Sequence, residues 1–168
     1  METEHFPTPP DEFTDDAGRH VAFRRCDSGD FEPLDGMYAG LSAESRVQGI
    51  PPVDDDSRRE WVGGLLDEEH NVAAWHGDDA VGHAALLPMD DDRAELVIFV
   101  ADEYQEAGIG SRLLRVLLGH GRENGFDRVW LTVQRDNWVA RNLYRSVGFT
   151  VQSRGREWEM ELALSGPG

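Results

Sequence analysis

The chain has 168 residues, with 16 Lys+Arg against 33 Asp+Glu, so its formal net charge is −17. Every basic residue is Arg, and there is no Lys. A hydrophobic fraction of 39% is sufficient for a core and excludes wholesale disorder, while the negative charge disfavours nonspecific binding to nucleic acid or an anionic membrane.

The cysteine content, the N-terminus and the absence of long apolar runs bear on where the protein is located. Cys26 is the only cysteine, which excludes an internal disulfide and a cysteine-based zinc cluster. The segment Met1–Asp16 is acidic and Pro-rich, unlike the basic and then apolar pattern of an export signal. No apolar run approaches the roughly 20 residues of a membrane span. We therefore expect a cytoplasmic protein.

Acidic clusters occur where turns are expected, at Asp54–Asp56, Asp78–Asp79 and Asp90–Asp92. They could form a divalent metal site or a docking surface for a cationic substrate, but the spacing of a calcium-binding EF-hand is absent. We favour a solvated surface typical of a halophilic organism, in which high salt screens the self-repulsion. The six histidines show no ligand spacing, so no metal site is predicted.

The composition along the chain predicts one domain. Residues 1–18 are acidic, have almost no apolar periodicity and are predicted to form a disordered tail. The folded domain is expected over residues 19–164, followed by a short C-terminal tail, 165–168.

The first half of this domain is predicted to contain four strands and two helices. Turn and N-cap residues precede each helix, with Ser57 as the expected cap of the second. The turn 76–79 is typical of a hairpin. In chain order, the predictions are strand Val21–Arg24, helices Phe31–Ala39 and Arg58–Leu66, and strands Asn71–Trp75, Ala80–Leu87 and Ala94–Val100.

The second half is predicted to alternate helices with strands. Ile109, Leu113 and Leu117 recur at helical spacing, and Gly148 is placed to end a later helix that begins after Asp136 or Asn137. Strands are predicted at Arg128–Val133, Phe149–Gln152 and Trp158–Leu164. The order β-α-α-β-β-β-α-β-α-β-β predicts an α/β fold, a mixed sheet with helices on its faces.

The loop Gln105–Gly110 lies between the most apolar predicted strand and an amphipathic helix. Its glycines allow a tight turn and close approach to a ligand. Free N–H groups and the positive end of the helix dipole favour a phosphate there. The loop lacks both the Gly-Lys-Ser/Thr of a P-loop and the spacing of the dinucleotide-binding motif. Alone, it is equally consistent with an ordinary strand-to-helix turn.

A second motif strengthens the phosphate interpretation. The pattern Gln-x-x-Gly-x-Gly at 105–110 is followed, 27 residues after Gly110, by Asn-x-x-Ala-x-x-Leu-Tyr-x-x-x-Gly-Phe at 137–149. Together these motifs closely resemble the GNAT superfamily of N-acetyltransferases. The pattern of elements agrees with that superfamily from about Val21 to Leu164.

The resemblance implies a GNAT-like mixed central sheet with helices on both faces and two splayed parallel central strands, Ala94–Val100 and Arg128–Val133. Acetyl-CoA would lie in the cleft between them as the co-substrate. The implied cofactor-binding residues are the backbones of Ile98 and Val100, the loop residues Gln105, Ala107, Gly108, Ile109, Gly110 and Ser111, and, on the thioester side, Asn137 and Tyr144.

One departure concerns the loop. The superfamily often has a Gly and a basic residue where this chain has Glu106 and Ala107. A carboxylate beside a pyrophosphate is repulsive unless it points into solvent, so Glu106 puts the affinity for CoA in question.

The implied reaction is direct attack of a neutral amine on the thioester. Tyr144, with an ordinary pKa of about 10, is the candidate acid for the leaving thiolate, and its alternative is a packed helix aromatic. Glu95 is the candidate base, and its alternative is an edge carboxylate. His83 is a second candidate base because its ordinary pKa lies near 6.5, although a strand histidine is more often packed. No catalytic metal or cysteine is implied.

The acceptor is expected to be a primary amine of a small molecule or a protein lysine. The segment 41–46 resembles GNAT domains related to protein lysine acetyltransferases. Since the chain has no Lys, it cannot acetylate its own lysine side chains. A non-catalytic acyl-CoA-binding sensor or partner subunit is the alternative, and a homodimer is left open.

Overall fold

The computed structural model describes residues 6–45, 50–90 and 92–164. The strands are β1 (Asp11–Thr14), β2 (His20–Arg25), β3 (His70–His76), β4 (Asp79–Asp90), β5 (Arg93–Val100), β6 (Arg128–Gln134), β7 (Thr150–Arg154) and β8 (Glu157–Ala163). The α-helices are α1 (Phe31–Ala39), α2 (Asp55–Leu66), α3 (Ile109–Glu123) and α4 (Trp138–Val147). All helices and strands predicted from the sequence are present, with bounds that differ by at most three residues.

The strands form one sheet in the order β1-β2-β3-β4-β5-β6-β8-β7. Every neighbouring pair is antiparallel except β5 and β6, which are parallel. The predicted α/β class, with a mixed GNAT-like sheet, is confirmed.

The helices lie on both faces of this sheet, and each face has its own apolar core. On one face, α3 and α4 cover a large cluster that includes Leu113, Leu117, Leu131 and Met160. On the other, α1 and α2 cover a smaller cluster around Tyr38 and Phe99. The alternation of side chains along each strand divides the chain between these clusters.

Helix α2 begins earlier than expected because its cap is a different residue. Asp54 accepts a hydrogen bond from the Ser57 backbone N–H at 2.9 Å, so Ser57 lies inside the helix and Asp54 is the N-cap. The two residues that follow, Asp55 and Asp56, place negative charge at the positive end of the helix dipole.

The prediction of a disordered tail through residue 18 is wrong for residues 11–14, which form β1 and pair with β2. Phe13 contacts Phe23, with ring centroids 5.4 Å apart, and Asp11 forms an ion pair with Arg112 of α3 at 2.7 Å. The hairpin with β2 and the contact with Arg112, which lies 101 residues further along the chain, stabilise the acidic segment. Residues 1–5 and the predicted C-terminal tail, 165–168, lie outside the described residues, as does Arg46.

Two kinds of feature are absent from the described ranges. No helix there is long and apolar enough to cross a membrane. No group of three or more His, Cys, Asp or Glu residues in those ranges is arranged to hold a metal ion.

Candidate functional site

The central feature of the sheet is a wedge between β5 and β6. Their parallel pairing covers only three positions and ends where Glu95 pairs with Trp130. Beyond that point β5 continues to Val100 and β6 continues to Gln134, each still paired on its outer edge, to β4 and β8 respectively. The two inner edges therefore separate, which confirms the splayed strands expected from the resemblance.

The inner edge of β5 presents backbone groups to this wedge. The Ala101 N–H donates to the Val81 oxygen of β4 at 2.9 Å. Because successive residues of a strand direct their backbone groups to opposite sides, those of Ile98 and Val100 point away from β4. The Val100 carbonyl already accepts a hydrogen bond from Gln105 Nε2 at 3.0 Å, so only its N–H is available to a ligand. Gln105 thus holds the loop against the end of β5.

The loop at the wide end of the wedge forms a cradle of backbone amides. Gly108 has φ +91°, a left-handed conformation that favours glycine, and it is the N-cap of α3. The first intrahelical bond runs from the Arg112 N–H to the Gly108 oxygen at 3.1 Å. The preceding N–H groups, at Ile109, Gly110 and Ser111, therefore have no acceptor within the helix.

The side chains of this loop leave its backbone accessible. Ala107 and Ile109 are buried beneath it, 5% and 0% exposed. A Cβ at Gly110 would contact Val100, so glycine keeps the space between the loop and the wedge open. The residues present therefore fit a pyrophosphate held by amides next to a pantetheine arm in the wedge.

Two carboxylates lie near the cradle. Glu106 has φ +60° and is exposed, so its side chain is directed into solvent. The Asp16 N–H donates to the Ala107 oxygen at 2.9 Å, and its carboxylate lies about 3.6 Å from where a Gly108 Cβ would be. Sequence reasoning missed Asp16, because no local signal places residue 16 beside residue 108.

The α4 residues of the predicted site have structural roles as well. Asn137 is the N-cap of α4, and its Oδ1 accepts from the Ala140 N–H at 3.2 Å, which leaves its Nδ2 for a ligand. Tyr144 is 8% exposed and packs at 5.7 Å from the Phe149 ring. Burial alone raises the pKa of Tyr144 to about 12.

Glu95 lies at the vertex of the wedge, on the face of the sheet opposite Tyr144. Alternation along β5 places it on the α1/α2 face with Val97 and Phe99, whereas Tyr144 belongs to the α3/α4 core. It is half-buried, and burial raises its pKa above the ordinary value. A carboxylate with a raised pKa at the vertex is suited to accept a proton from an amine.

His83 is not available as a base. It is fully buried, and burial lowers its pKa to about 3. Asn71 Nδ2 donates to the carbonyls of Leu65 and Glu68, so Asn71 Oδ1 accepts from His83 Nε2 at 2.7 Å. His83 Nδ1 then accepts from the Tyr38 hydroxyl at 2.6 Å. Both ring nitrogens of this neutral histidine are engaged, and the residue joins β4 to α1 and β3.

A cavity of about 470 Å³ lies between α2 and Leu87, on the same face of the sheet as Glu95. It is lined by α2 residues, among them Trp61, by Glu68 just after α2, and by Leu87, the β4 residue that pairs with Glu95. Sequence reasoning missed this cavity and Trp130, since strand register is not visible in a single sequence.

The wedge, the amide cradle and the mixed sheet define the class of fold shared by GNAT acetyltransferases. The model of the Acetyltransferase (GNAT) family matches residues 34–149, and the chain belongs to this family.

Two curated relatives match about half of the chain. Mycothiol acetyltransferase of Corynebacterium efficiens is 37% identical over 81 residues, which cover 48% of this chain and 27% of that protein. The N-alpha-acetyltransferase RimI of Mycobacterium tuberculosis is 40% identical over 84 residues, which cover 48% of this chain and 51% of that protein. The matched part spans about half or less of each relative.

Solved structures show the fold over most of the chain. The GNAT domain of S. lividans PAT has a TM-score of 0.79 at 19% identity and covers 91% of this chain and 96% of that one. The structure of yncA from Salmonella typhimurium with its cofactor acetyl-CoA has a TM-score of 0.69 at 20% identity, with 86% and 94% covered.

Proposed function

We propose that this protein is an N-acetyltransferase that transfers the acetyl group of acetyl-CoA to a primary amine of a small molecule or a protein lysine. The observation that carries the proposal is the wedge between β5 and β6, which opens at Glu95 and leads to the amide cradle of α3. Family membership and the acetyl-CoA bound by yncA support the same donor.

The residues of the wedge and the cradle are suited to hold acetyl-CoA. The amides of Ile109, Gly110 and Ser111 face the position of a pyrophosphate, and the backbone of Ile98 and the N–H of Val100 face the pantetheine arm. Asn137 Nδ2 is available on the α4 side of the wedge. When bound, acetyl-CoA supplies the activated thioester.

The chain's own residues divide three tasks. Glu95, directly or through a water molecule, removes a proton from the acceptor ammonium. A backbone amide on the inner edge of β5, near Glu95, donates to the carbonyl oxygen as negative charge develops on it. The Tyr144 hydroxyl gives its proton to the departing thiolate.

The raised pKa of Tyr144 is compatible with its role as the acid. A phenol with a pKa of about 12 is a weak acid for a thiol of ordinary pKa about 8.5. A thiolate in the same buried wedge also loses hydration, and this raises the thiol pKa. Cys26 of this protein illustrates the effect, since burial raises the pKa of its thiol. The two pKa values therefore move in the same direction.

Binding and chemistry are tested separately. In molar KCl, the melting temperature should rise by about 5–10 °C when acetyl-CoA is present at about 100 times its Kd, and it should not rise with ATP. Tyr144→Phe should lower kcat by at least about 100-fold and leave the acetyl-CoA-induced rise intact. Tyr104→Phe removes a hydroxyl that is hydrogen-bonded to His76 at the end of β3; it is the matched control and should retain activity.

The outcomes separate the candidates. An unchanged kcat in Tyr144→Phe would rule out Tyr144 as the acid. Glu95→Gln tests the base: because it removes the titrating carboxylate, it should change the acidic limb of the kcat/KM pH profile. A wild type that binds acetyl-CoA but acetylates no amine would favour the non-catalytic acyl-CoA-binding module. No thermal rise, in a folded protein, would contradict both.

A further inference from the structure

The α1/α2 face of the sheet is covered by helices over only part of its width. The apolar cluster beneath α1 and α2 contains residues of β3, β4 and β5, and the described residues of β6, β7 and β8 contribute none to it. The side chains that β6 and β8 direct to this face are half-buried or exposed. This open area borders the vertex of the wedge, where an acceptor amine must arrive.

Strand register places four of these side chains together, and we call them the shelf: Trp130 and Thr132 of β6, and Glu159 and Glu161 of β8. Glu95 pairs with Trp130, and Trp130 pairs with Glu161. In the next row Thr132 pairs with Glu159. All four are on the same face as Glu95, because the residues between them belong to the opposite core.

The charges of the shelf are unevenly compensated. Glu161 is paired with Arg128 at 3.3 Å and faces Arg93 at 3.8 Å. Within the described ranges, no arginine nitrogen lies within 4 Å of the carboxylates of Glu95 or Glu159. Beyond Thr132 and Glu159, at the end of β6 and the start of β8, Arg135 and Arg156 line a separate cavity with Glu157. The middle of the shelf is therefore negative between two ends that contain arginine.

Trp130 lies diagonally opposite Glu159, within reach of a long or aromatic side chain on the neighbouring strand. An indole face next to a half-buried carboxylate attracts a cation by a cation–π contact and by charge. Glu159 is two strands away from Glu95 and one row further along the sheet, so the two residues are separated by about 12 Å. This local arrangement is independent of the overall acidity of the surface, which would attract cations anywhere.

We infer that the shelf binds an acceptor with two positive charges about 6–10 Å apart: the reacting amine at Glu95 and a second cation at Trp130 and Glu159. The inference rests on the proposed acetyltransferase function and names the substrate class of that site. Glu159 and Trp130 are specificity-determining residues, since they touch the second cation and not the reacting atoms. Glu95 keeps its separate task at the vertex.

The test compares matched acceptors with the 168-residue chain and saturating acetyl-CoA. One pair is 1,6-diaminohexane and 1-aminohexane, which have equal length and differ in one charge. The other is a pair of short lysine peptides that differ only by Arg or Gln next to the lysine. We expect kcat/KM to be about tenfold higher for the doubly charged member of a pair.

Three variants locate the preference. Glu159→Gln should abolish the tenfold preference and leave kcat/KM for the singly charged member, and the KM for acetyl-CoA, unchanged. Trp130→Phe should retain part of the preference, and Trp130→Leu should lose it. Glu68→Gln removes an exposed carboxylate from the rim of the cavity between α2 and Leu87. It is the matched control and is expected to behave as wild type.

Each failure has its own signature. Equal activity on both members of each pair, or equal effects of Glu159→Gln on both, would overturn the inference and leave the acetyltransferase proposal standing. Loss of the preference in Glu68→Gln but not in Glu159→Gln would overturn the assignment to the shelf. Acetyl-CoA binding without turnover of any acceptor would overturn the proposed function, and the inference with it.

Discussion

Acidification is expected to destabilise this protein through two buried histidines, His83 and His120. Burial lowers the pKa of His83 to about 3, and burial lowers that of His120 to about 4, helped by the neighbouring His70 and Arg25. Asn124 Nδ2 donates to His120 Nδ1, so His120 Nε2 donates to His70 Nδ1 at 2.9 Å. Both histidines are neutral in the folded chain.

The direction and size of this change in the free energy of unfolding follow from the difference between the folded and unfolded pKa values of the two histidines. An unfolded histidine binds a proton below about pH 6.5, whereas these two do not until pH 4 or 3. The unfolded state binds more protons in that interval, so stability falls as the pH falls from 6.5. At about pH 5 each histidine costs about 2 kcal/mol, and the two together cost about 4 kcal/mol, relative to pH 7.5. The pKa values of Asp15 and Asp54 are lowered from the ordinary 3.8, so the stability that these carboxylates contribute is lost mainly below about pH 3.8, outside the interval from about pH 7.5 to about pH 5.

The assay is urea unfolding in molar KCl at about pH 7.5, 6 and 5, since constant high salt minimises changes in charge repulsion. His120→Gln retains a donor towards His70 and should lose about half of the pH dependence. His20→Gln changes an exposed histidine and serves as the control. Equal free energies of unfolding at pH 7.5 and 5, or an unaltered pH dependence in His120→Gln, would refute the reasoning.

Three further predictions concern other parts of the fold. Asp16→Asn should tighten acetyl-CoA binding a few-fold at low salt, because its carboxylate lies near the cradle, and the gain should vanish in molar KCl; an equal gain in Asp78→Asn, an exposed turn variant, would contradict a local effect. Gly119→Ala should destabilise by about 1–3 kcal/mol, since its Cβ would lie 2.1 Å from the Pro7 oxygen. A Cβ at Gly36 in α1 would meet no neighbouring atom, so Gly36→Ala should raise the free energy of unfolding by about 0.5–1 kcal/mol. Similar midpoints of chemical denaturation for the two glycine variants would argue against close packing of residue 7 on α3. The melting temperature of the wild type should rise with KCl if the acidic surface reflects adaptation to high salt, and a flat response would remove that interpretation.

Local patterns predicted most of the secondary structure. Alternation predicted β6 and β8, because the core covers one face of each strand and leaves the other polar. The spacing of Ile109, Leu113 and Leu117 predicted α3 for the corresponding reason in a helix. The loop 105–110 and the motif from Asn137 to Phe149 carried the family resemblance, since backbone turns and caps depend on nearby residues.

Contacts between distant residues account for the errors. The first strand, β1, forms in a segment whose composition predicts disorder, because Phe13 packs on Phe23 and Asp11 pairs with Arg112. His83 was a candidate base in the sequence because nothing near it along the chain shows that its ring nitrogens are engaged. In the structure, Tyr38 and Asn71 bind both of them. Arg112 and Tyr38, which lie on helices far along the chain, reach Asp11 and His83 only in the folded protein.

The sequence by itself determined the order of the elements, the loop that turns into α3 and the residues able to accept or donate protons, since these depend on side-chain chemistry and short-range spacing. Only the tertiary structure decided where β5 and β6 separate, because register is a relation between strands. It also placed Trp130 beside Glu95, brought Asp16 to the cradle and buried His83. Burial and proximity come from packing against residues far along the chain, and they set the charge state and the accessibility of each candidate.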